Sequence, residues 1–76
     1  MNNSRLAYCI KRCGSAWKVT ENHSRESIYR DEDFNTVLNT TIGIAKTNLP
    51  SEVWIFSEHD ELVEKRIYPN FSDIYV

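Results

Sequence analysis

EVWIFS, at residues 52–57, carries four consecutive apolar side chains. Successive side chains of a strand point to opposite faces, so this run offers bulky groups to both sides of a sheet, which is typical of an interior strand. Residues 62–68 (LVEKRIY) follow after a polar turn and end at Pro69. The two segments predict a C-terminal hairpin.

A second hairpin is predicted near the other end of the chain. Residues 6–11 and 16–21 both alternate between apolar and polar side chains, and the segment between them contains Gly14. This period of two, broken by a glycine, is typical of two half-buried strands joined by a tight turn. Tyr8 and Trp17 fall on the apolar sides of these strands. Further along, residues 25–30 predict a short third strand that continues the meander.

The segment between the hairpins predicts one helix. Asp31 is the predicted N-cap, Asn48 suits a left-handed C′ position, and Pro50 prevents continuation. A spacing of three to four residues predicts one apolar stripe, made of Phe34, Leu38, Thr41, Ile42, Ala45 and Leu49.

The element order β-β-(β)-α-β-β predicts an α+β fold. The simplest arrangement is an antiparallel sheet of four or five strands with the helix packed on one face. The length of 76 residues allows one domain, with a core over residues 6–69. Residues 70–76 contain four large apolar side chains and are expected to dock on the domain.

Composition and charge exclude several classes of protein. The formal net charge is −2, and lysines and arginines are scattered among acidic residues, so general affinity for nucleic acid is not expected. No segment approaches the ~20 apolar residues of a membrane span, and the polar N-terminus does not resemble a signal peptide. Cys9 and Cys13 are expected to be reduced thiols. These features predict a cytoplasmic protein without membrane association.

The candidate ligands for a metal ion are Cys9, Cys13, His23 and His59, but their spacing argues against a metal site. The two histidines lie 36 positions apart, whereas structural zinc sites use closely spaced pairs of ligands. A Cys13–His23 pair lacks a loop that could stabilise an oxyanion, and the acidic residues around His59 are typical of a solvated turn. We expect no metal, no cofactor, no catalytic residue and no small-molecule substrate.

The chain resembles the small prokaryotic family of unknown function designated DUF2188. The resemblance is carried by Tyr8, by the WKV segment at residues 17–19, by the helix, and by SEVWI at residues 51–55 with the hairpin that follows to Tyr68. It covers most of the chain and implies the fold but no activity. This chain departs from the family pattern in two places. An Asp-Glu-Leu segment replaces the family's Asp-Gly turn and following aliphatic residue, and the helix is rich in Thr and Asn instead of Ala. These differences suggest a divergent member, of phage or mobile-element origin.

The predicted fold leaves one apolar sheet face without a cover, because one helix covers only one side. The side chains expected to fill this second face are Tyr8, Trp54 and Phe56 from the strands and Phe71 and Tyr75 from the C-terminal residues. Either the C-terminal residues cover the face within the chain, or a second copy or another protein covers it. The leading hypothesis is therefore a non-enzymatic protein–protein interaction module that forms a homodimer or binds a different protein.

The alternative hypothesis is a small domain that binds RNA or single-stranded nucleic acid. Lys11, Arg12 and Lys18 lie on the first hairpin together with Tyr8 and Trp17, and proteins of this class combine cations with aromatic rings. Strand alternation, however, puts Trp17 and Lys18 on opposite faces. Nucleic acid is accordingly the less favoured partner.

Overall fold

A computed structural model describes residues 6–22, 24 and 26–69, which form a five-stranded sheet and one helix. The elements are β1 (Leu6–Cys13), β2 (Ala16–Glu21), β3 (Ser27–Asp31), α1 (Phe34–Lys46), β4 (Ser51–Phe56) and β5 (Leu62–Tyr68). The strands lie side by side in the order β3-β2-β1-β4-β5. The predicted α+β fold and the third strand are both confirmed.

The sheet is mixed, so the prediction of a purely antiparallel sheet is wrong. β1 and β4 run parallel, with Tyr8 opposite Val53 and Ile10 opposite Ile55, whereas the other neighbours are antiparallel. The reason is the crossover: α1 carries the chain back along one face, and β4 then enters beside β1 in the same direction. Both predicted hairpins are present, and this parallel pair joins them.

The core lies between α1 and one face of the sheet. Ile10, Val19 and Val53 project from the strands and are fully buried, as is Val37 of α1. The rings of Trp17 and Phe34 meet edge to face at a centroid distance of 4.9 Å. α1 packs on β1, β2, β3 and β4. The opposite side of the sheet, which faces away from α1, is the open face.

Asp33 caps the N-terminus of α1, and the prediction of Asp31 as the cap is wrong. The Asp33 carboxylate accepts hydrogen bonds from the Thr36 N–H at 2.8 Å and from Thr36 Oγ1 at 2.7 Å. Asp31 still belongs to β3, and its carboxylate accepts the Asp33 N–H at 2.8 Å. Because β3 continues to Asp31, the helix can begin only after a further turn.

The hydrogen bonds from Thr36 lower the pKa of Asp33, which makes the cap sensitive to pH. The unfolded pKa is about 3.9, so stabilisation by the ionised cap is complete above that value and is lost as the pH falls through the lower folded pKa. We expect Asp33→Ala to lower the urea midpoint at pH 7. Asp33→Asn, which keeps an acceptor, should lower it less and should flatten the decline in acid. Equal midpoints for all three proteins at pH 7 would contradict this role.

The C-terminal end of α1 confirms the predicted position of Asn48 but not its predicted conformation. The helix ends at Lys46 with Thr47 as the C-cap. Asn48 does not take the left-handed conformation; its side-chain Nδ2 donates to the Ile44 carbonyl at 2.8 Å. Leu49 lies beyond the helix and is exposed, so the buried stripe of α1 ends at Ala45.

Candidate interaction surface on the open face

Strand pairing determines which side chains share the open face. Lys11 lies opposite Lys18, and Lys18 lies opposite Arg30. Two residues earlier on β1, Cys9 lies beside Trp54 of β4, and Trp54 lies opposite Lys65 of β5. The open face therefore has a cationic half on β1, β2 and β3 and an aromatic half on β4 and β5.

The aromatic half carries most of the exposed large apolar side chains of the described sheet; Ile28 of β3 is the exception. Trp54 and Phe56 alternate with the buried core residues of β4 and are half-buried, which confirms their predicted placement on the second face. On β5, Leu62 and Ile67 are each 46% exposed, and Val63 is 61% exposed. Val63 is the extra residue at a bulge, because Ile55 pairs with Glu64 and Phe56 with Leu62.

Lysine side chains lie over both aromatic rings of β4. Lys11 Nζ is 4.7 Å from the centroid of the Phe56 ring, and Lys65 Nζ is 4.8 Å from that of Trp54. Glu52 completes the group: its Oε1 accepts the Trp54 Nε1–H at 2.7 Å and lies 3.9 Å from Lys65 Nζ. Long lysine stems on neighbouring strands can cover a ring while their ammonium groups stay in water.

Tyr8 does not lie on the open face. It is 3% exposed and packs in the core opposite Val53. Burial, with a smaller effect from the Glu21 carboxylate, raises the pKa of its hydroxyl. The prediction of Tyr8 as a partner contact is therefore corrected: the alternation that groups it with Leu6 and Ile10 turns all three towards α1.

Phe71 and Tyr75, the other predicted contacts, lie outside the described residues, as does the predicted docking of residues 70–76. Both remain predictions.

The predicted cationic trio is divided between the two faces of the sheet. Lys11 and Lys18 lie on the open face, but Arg12 lies on the helix side, 5.5 Å from the centroid of the Trp17 ring. There Arg12 Nε donates to the Gly14 carbonyl at 2.8 Å, and its Nη1 is 3.7 Å from a Glu58 oxygen. Arg30 takes the third place on the open face. Sequence reasoning missed it because the bulge in the pairing of β2 with β3 hides which way each β3 side chain points.

The two cysteines occupy different environments, and both are free thiols. Cys9 is half-buried on the open face, and burial raises its pKa against the opposing effect of the Lys11 charge. Cys13 is exposed at the end of β1. His59 is exposed in the turn before β5, and His23 lies outside the described residues. Within the described part of the chain, no group of three or more His, Cys, Asp or Glu residues could hold a metal ion.

The thiol environments predict selective alkylation. At neutral pH, iodoacetamide should modify Cys13 quickly and Cys9 at least about ten-fold more slowly, because a raised pKa leaves less thiolate and half-burial restricts access. Time-resolved mass spectrometry of Cys9→Ser and Cys13→Ser proteins would give the two rates separately. In 6 M urea the rates should converge; a persistent difference there would mean that the fold is not its cause.

A shallow notch of about 280 Å³ lies at the C-terminal end of α1. Leu49, Tyr68 and Pro69 form its mainly apolar wall, together with Lys46, whose Nζ is 5.8 Å from the Tyr68 ring centroid. This wall offers no arrangement of nucleophile and base.

Comparison of the chain with family models, curated proteins and solved structures found no match. No helix in the part of the chain that the structure describes is long and apolar enough to cross a membrane.

Proposed function

We propose that this protein is a small non-enzymatic interaction module that binds a partner protein through the open face of its sheet. The proposal rests on the concentration of large apolar side chains on one half of this face. These side chains are Trp54, Phe56, Leu62, Val63 and Ile67. Apolar groups gathered into one patch and bordered by polar groups are typical of binding surfaces, whereas single exposed apolar residues are not informative.

Charge indicates what kind of protein fits the surface. The chain has a net charge of −2, yet Lys11, Lys18 and Arg30 form a row of cations beside the apolar patch. Asp60 Oδ1 lies 3.6 Å from Lys11 Nζ at the end of this row. A partner with an apolar ridge bordered by acidic side chains would match both halves. Trp54 and Phe56 would be the central contacts, since buried aromatic anchors contribute most to binding at protein interfaces.

Three further parts of the proposal rest on the sequence alone. The absence of any nucleophile and base at motif spacing supports a non-enzymatic role. The resemblance described above supports membership of the DUF2188 family, with a phage or mobile-element origin. Two thiols without a disulfide framework are compatible with the cytoplasm.

The test is capture of partners from an extract of the native host, followed by calorimetry with each purified candidate. Trp54→Glu and Phe56→Glu should each weaken binding by at least ten-fold, because each places a charge at the centre of the contact. Leu49→Glu is the matched control: Leu49 is 53% exposed but lies off the open face. Circular dichroism must show that all variants fold. Binding that Trp54→Glu and Phe56→Glu leave unchanged would refute the proposal.

The predicted contacts at Phe71 and Tyr75 can be tested in the same assay. If these residues contact the partner, Phe71→Glu and Tyr75→Glu should weaken binding. If residues 70–76 instead cover the face within the chain, a protein that ends at Pro69 should bind more tightly. Unchanged affinity in all three proteins would remove these residues from the proposed contact.

Single-stranded nucleic acid is a second candidate partner, favoured by one specific observation. The cationic row runs across the open face from Arg30 through Lys18 to Lys11 and ends beside Phe56. Trp54 lies in the next row of the same face. Cations and aromatic rings therefore share one face. Backbone phosphates and stacked bases need this combination. The face differs from the predicted one, in which Trp17 supplied the ring and Arg12 a cation.

Fluorescence anisotropy with a labelled mixed-sequence oligonucleotide tests this candidate. At low salt, Lys18→Glu should abolish binding, whereas Lys46→Glu makes the same charge change on α1 and should have little effect. Affinity should also fall as salt rises, because bound cations are released. No change in anisotropy at 20 µM wild-type protein in low salt would exclude nucleic acid.

A further inference from the structure

β5 forms one edge of the sheet. It pairs with β4 on one side, and on its other side no strand of the described residues follows. Main-chain N–H and C=O groups along such an edge can pair with a strand from another molecule.

The side chains of β5 are unusual for an exposed edge. Leu62, Val63 and Ile67 are large apolar residues close to half exposed or more. Between them stand Glu64, Lys65 and Arg66, and charges at an edge normally discourage pairing. Whether these charges repel or attract a second strand depends on what lies opposite each of them.

β5 is complementary to itself in one antiparallel register, centred on Lys65. In this register Glu64 faces the second copy's Arg66 and Val63 faces the second copy's Ile67, and twofold symmetry gives each contact twice. The Lys65 residues of the two copies meet at the centre, but each is already paired with its own Glu52 at 3.9 Å and lies over its own Trp54.

The neighbouring registers that keep the same faces together are poorer. Centring on Glu64 would place Val63 opposite a lysine and two glutamates opposite each other. Centring on Arg66 would place Ile67 opposite a lysine and two arginines opposite each other. Only the register centred on Lys65 pairs opposite charges and also pairs apolar side chains.

We propose that two copies of the protein associate through their β5 strands in the antiparallel register centred on Lys65. The two five-stranded sheets then form one continuous sheet. Its combined open face brings the two aromatic halves together on either side of the twofold axis. This inference concerns the edge of the sheet and does not depend on the partner protein proposed above.

The association should be weak, because a single seven-residue strand buries less surface than a standard interface. A dissociation constant on the order of 100 µM is expected for so small a contact. Sedimentation equilibrium from 5 to 500 µM should show an average mass that rises from 8.9 kDa towards twice that value. A wild-type protein that stays monomeric at 500 µM would overturn the inference.

Charge exchange tests the register. Glu64→Arg and Arg66→Glu should each weaken self-association by roughly ten-fold, because like charges then face each other twice. An equimolar mixture of the two variants should associate at least as well as the wild type. In that pair one chain carries two positive charges and the other two negative charges at the facing positions. A mixture that stays monomeric while the wild type dimerises would refute the register.

The mixture also excludes an effect within one chain. Arg66 Nε and Glu64 Oε2 already form an ion pair at 2.8 Å, and both variants break it, so rescue on mixing can come only from contacts between chains. A matched control mixes Glu64→Arg with Lys46→Glu, which changes a charge away from β5. This mixture should form heterodimers several-fold more weakly; equal heterodimer formation would show that general charge attraction, and not β5, drives association.

The experiment also separates this inference from the proposed function. Self-association is measured without any other protein, and the β5 variants leave Trp54 and Phe56 unchanged. A wild-type monomer that still binds a host protein through Trp54 would overturn only the β5 dimer. A β5 dimer that binds no host protein would support the dimer and refute only the proposed function.

Discussion

Replacing Ile10 by alanine should lower the free energy of unfolding by about 2–5 kcal/mol, the usual loss for a large buried aliphatic residue. Ile10 is 0% exposed on β1, the central strand, where it packs between Ile55 of β4 and Val19 of β2 beneath α1. The surrounding residues belong to several elements and cannot all move to fill the cavity. In a domain this small, such a loss would unfold a substantial fraction of the molecules.

The matched control is Ile67→Ala, which removes the same atoms from a residue on the open face that is 46% exposed. Its cost should stay below about 1 kcal/mol. Urea unfolding of both variants at low micromolar concentration, followed by tryptophan fluorescence and circular dichroism, gives the two values. Similar losses for Ile10 and Ile67 would mean that the core does not lie between α1 and the sheet.

Replacing Trp17 by alanine should cost about 2–4 kcal/mol, somewhat less than for a fully buried aromatic residue. The Trp17 ring packs against the core and meets Phe34 edge to face at 4.9 Å. It also lies 5.5 Å from the Arg12 guanidinium. Its removal would therefore loosen the contact that holds the first turn of α1 against β2.

Trp54→Ala provides the comparison, because Trp54 lies on the open face. Its loss of stability should be about 1 kcal/mol, since its main contacts are the Lys65 stem and Glu52. For partner binding the order should reverse, with Trp54→Ala weakening the complex and Trp17→Ala leaving the affinity of the folded fraction unchanged. Chemical unfolding and calorimetry on the same two proteins measure both effects. The same order in both assays would contradict the division of roles between the two faces.

Local patterns predicted most of the elements. The strands at residues 16–21 and 62–68 match β2 and β5 as observed, because alternation in the first and turn signals around the second involve only residues close along the chain. The stripe predicts the helix and its C-terminal end, but the predicted N-cap lies two residues before the observed one. Asp31 and Asp33 offer the same capping group two residues apart, and only the end of β3 decides between them.

The sequence also predicted correctly that Trp54 and Phe56 would lie on the face opposite the helix. Alternation along β4 separates them from the core residues Val53 and Ile55 whatever strands lie on either side. Tyr8 shows the limit of this reasoning. The pattern groups Tyr8 with Leu6 and Ile10 on one side of β1, but which side of β1 faces α1 depends on the complete fold.

Patterns along the chain therefore predict the strands, the helix and the alternating faces of β1, β2 and β4, since these follow from chemistry between residues close in sequence. The tertiary structure alone decided which strands are neighbours. The parallel pairing of β1 with β4 brings Lys11 to Phe56, and the register of β3 brings Arg30 to Lys18. Such contacts join residues far apart in the chain, and they depend on which strand edges meet, a choice that no local period encodes.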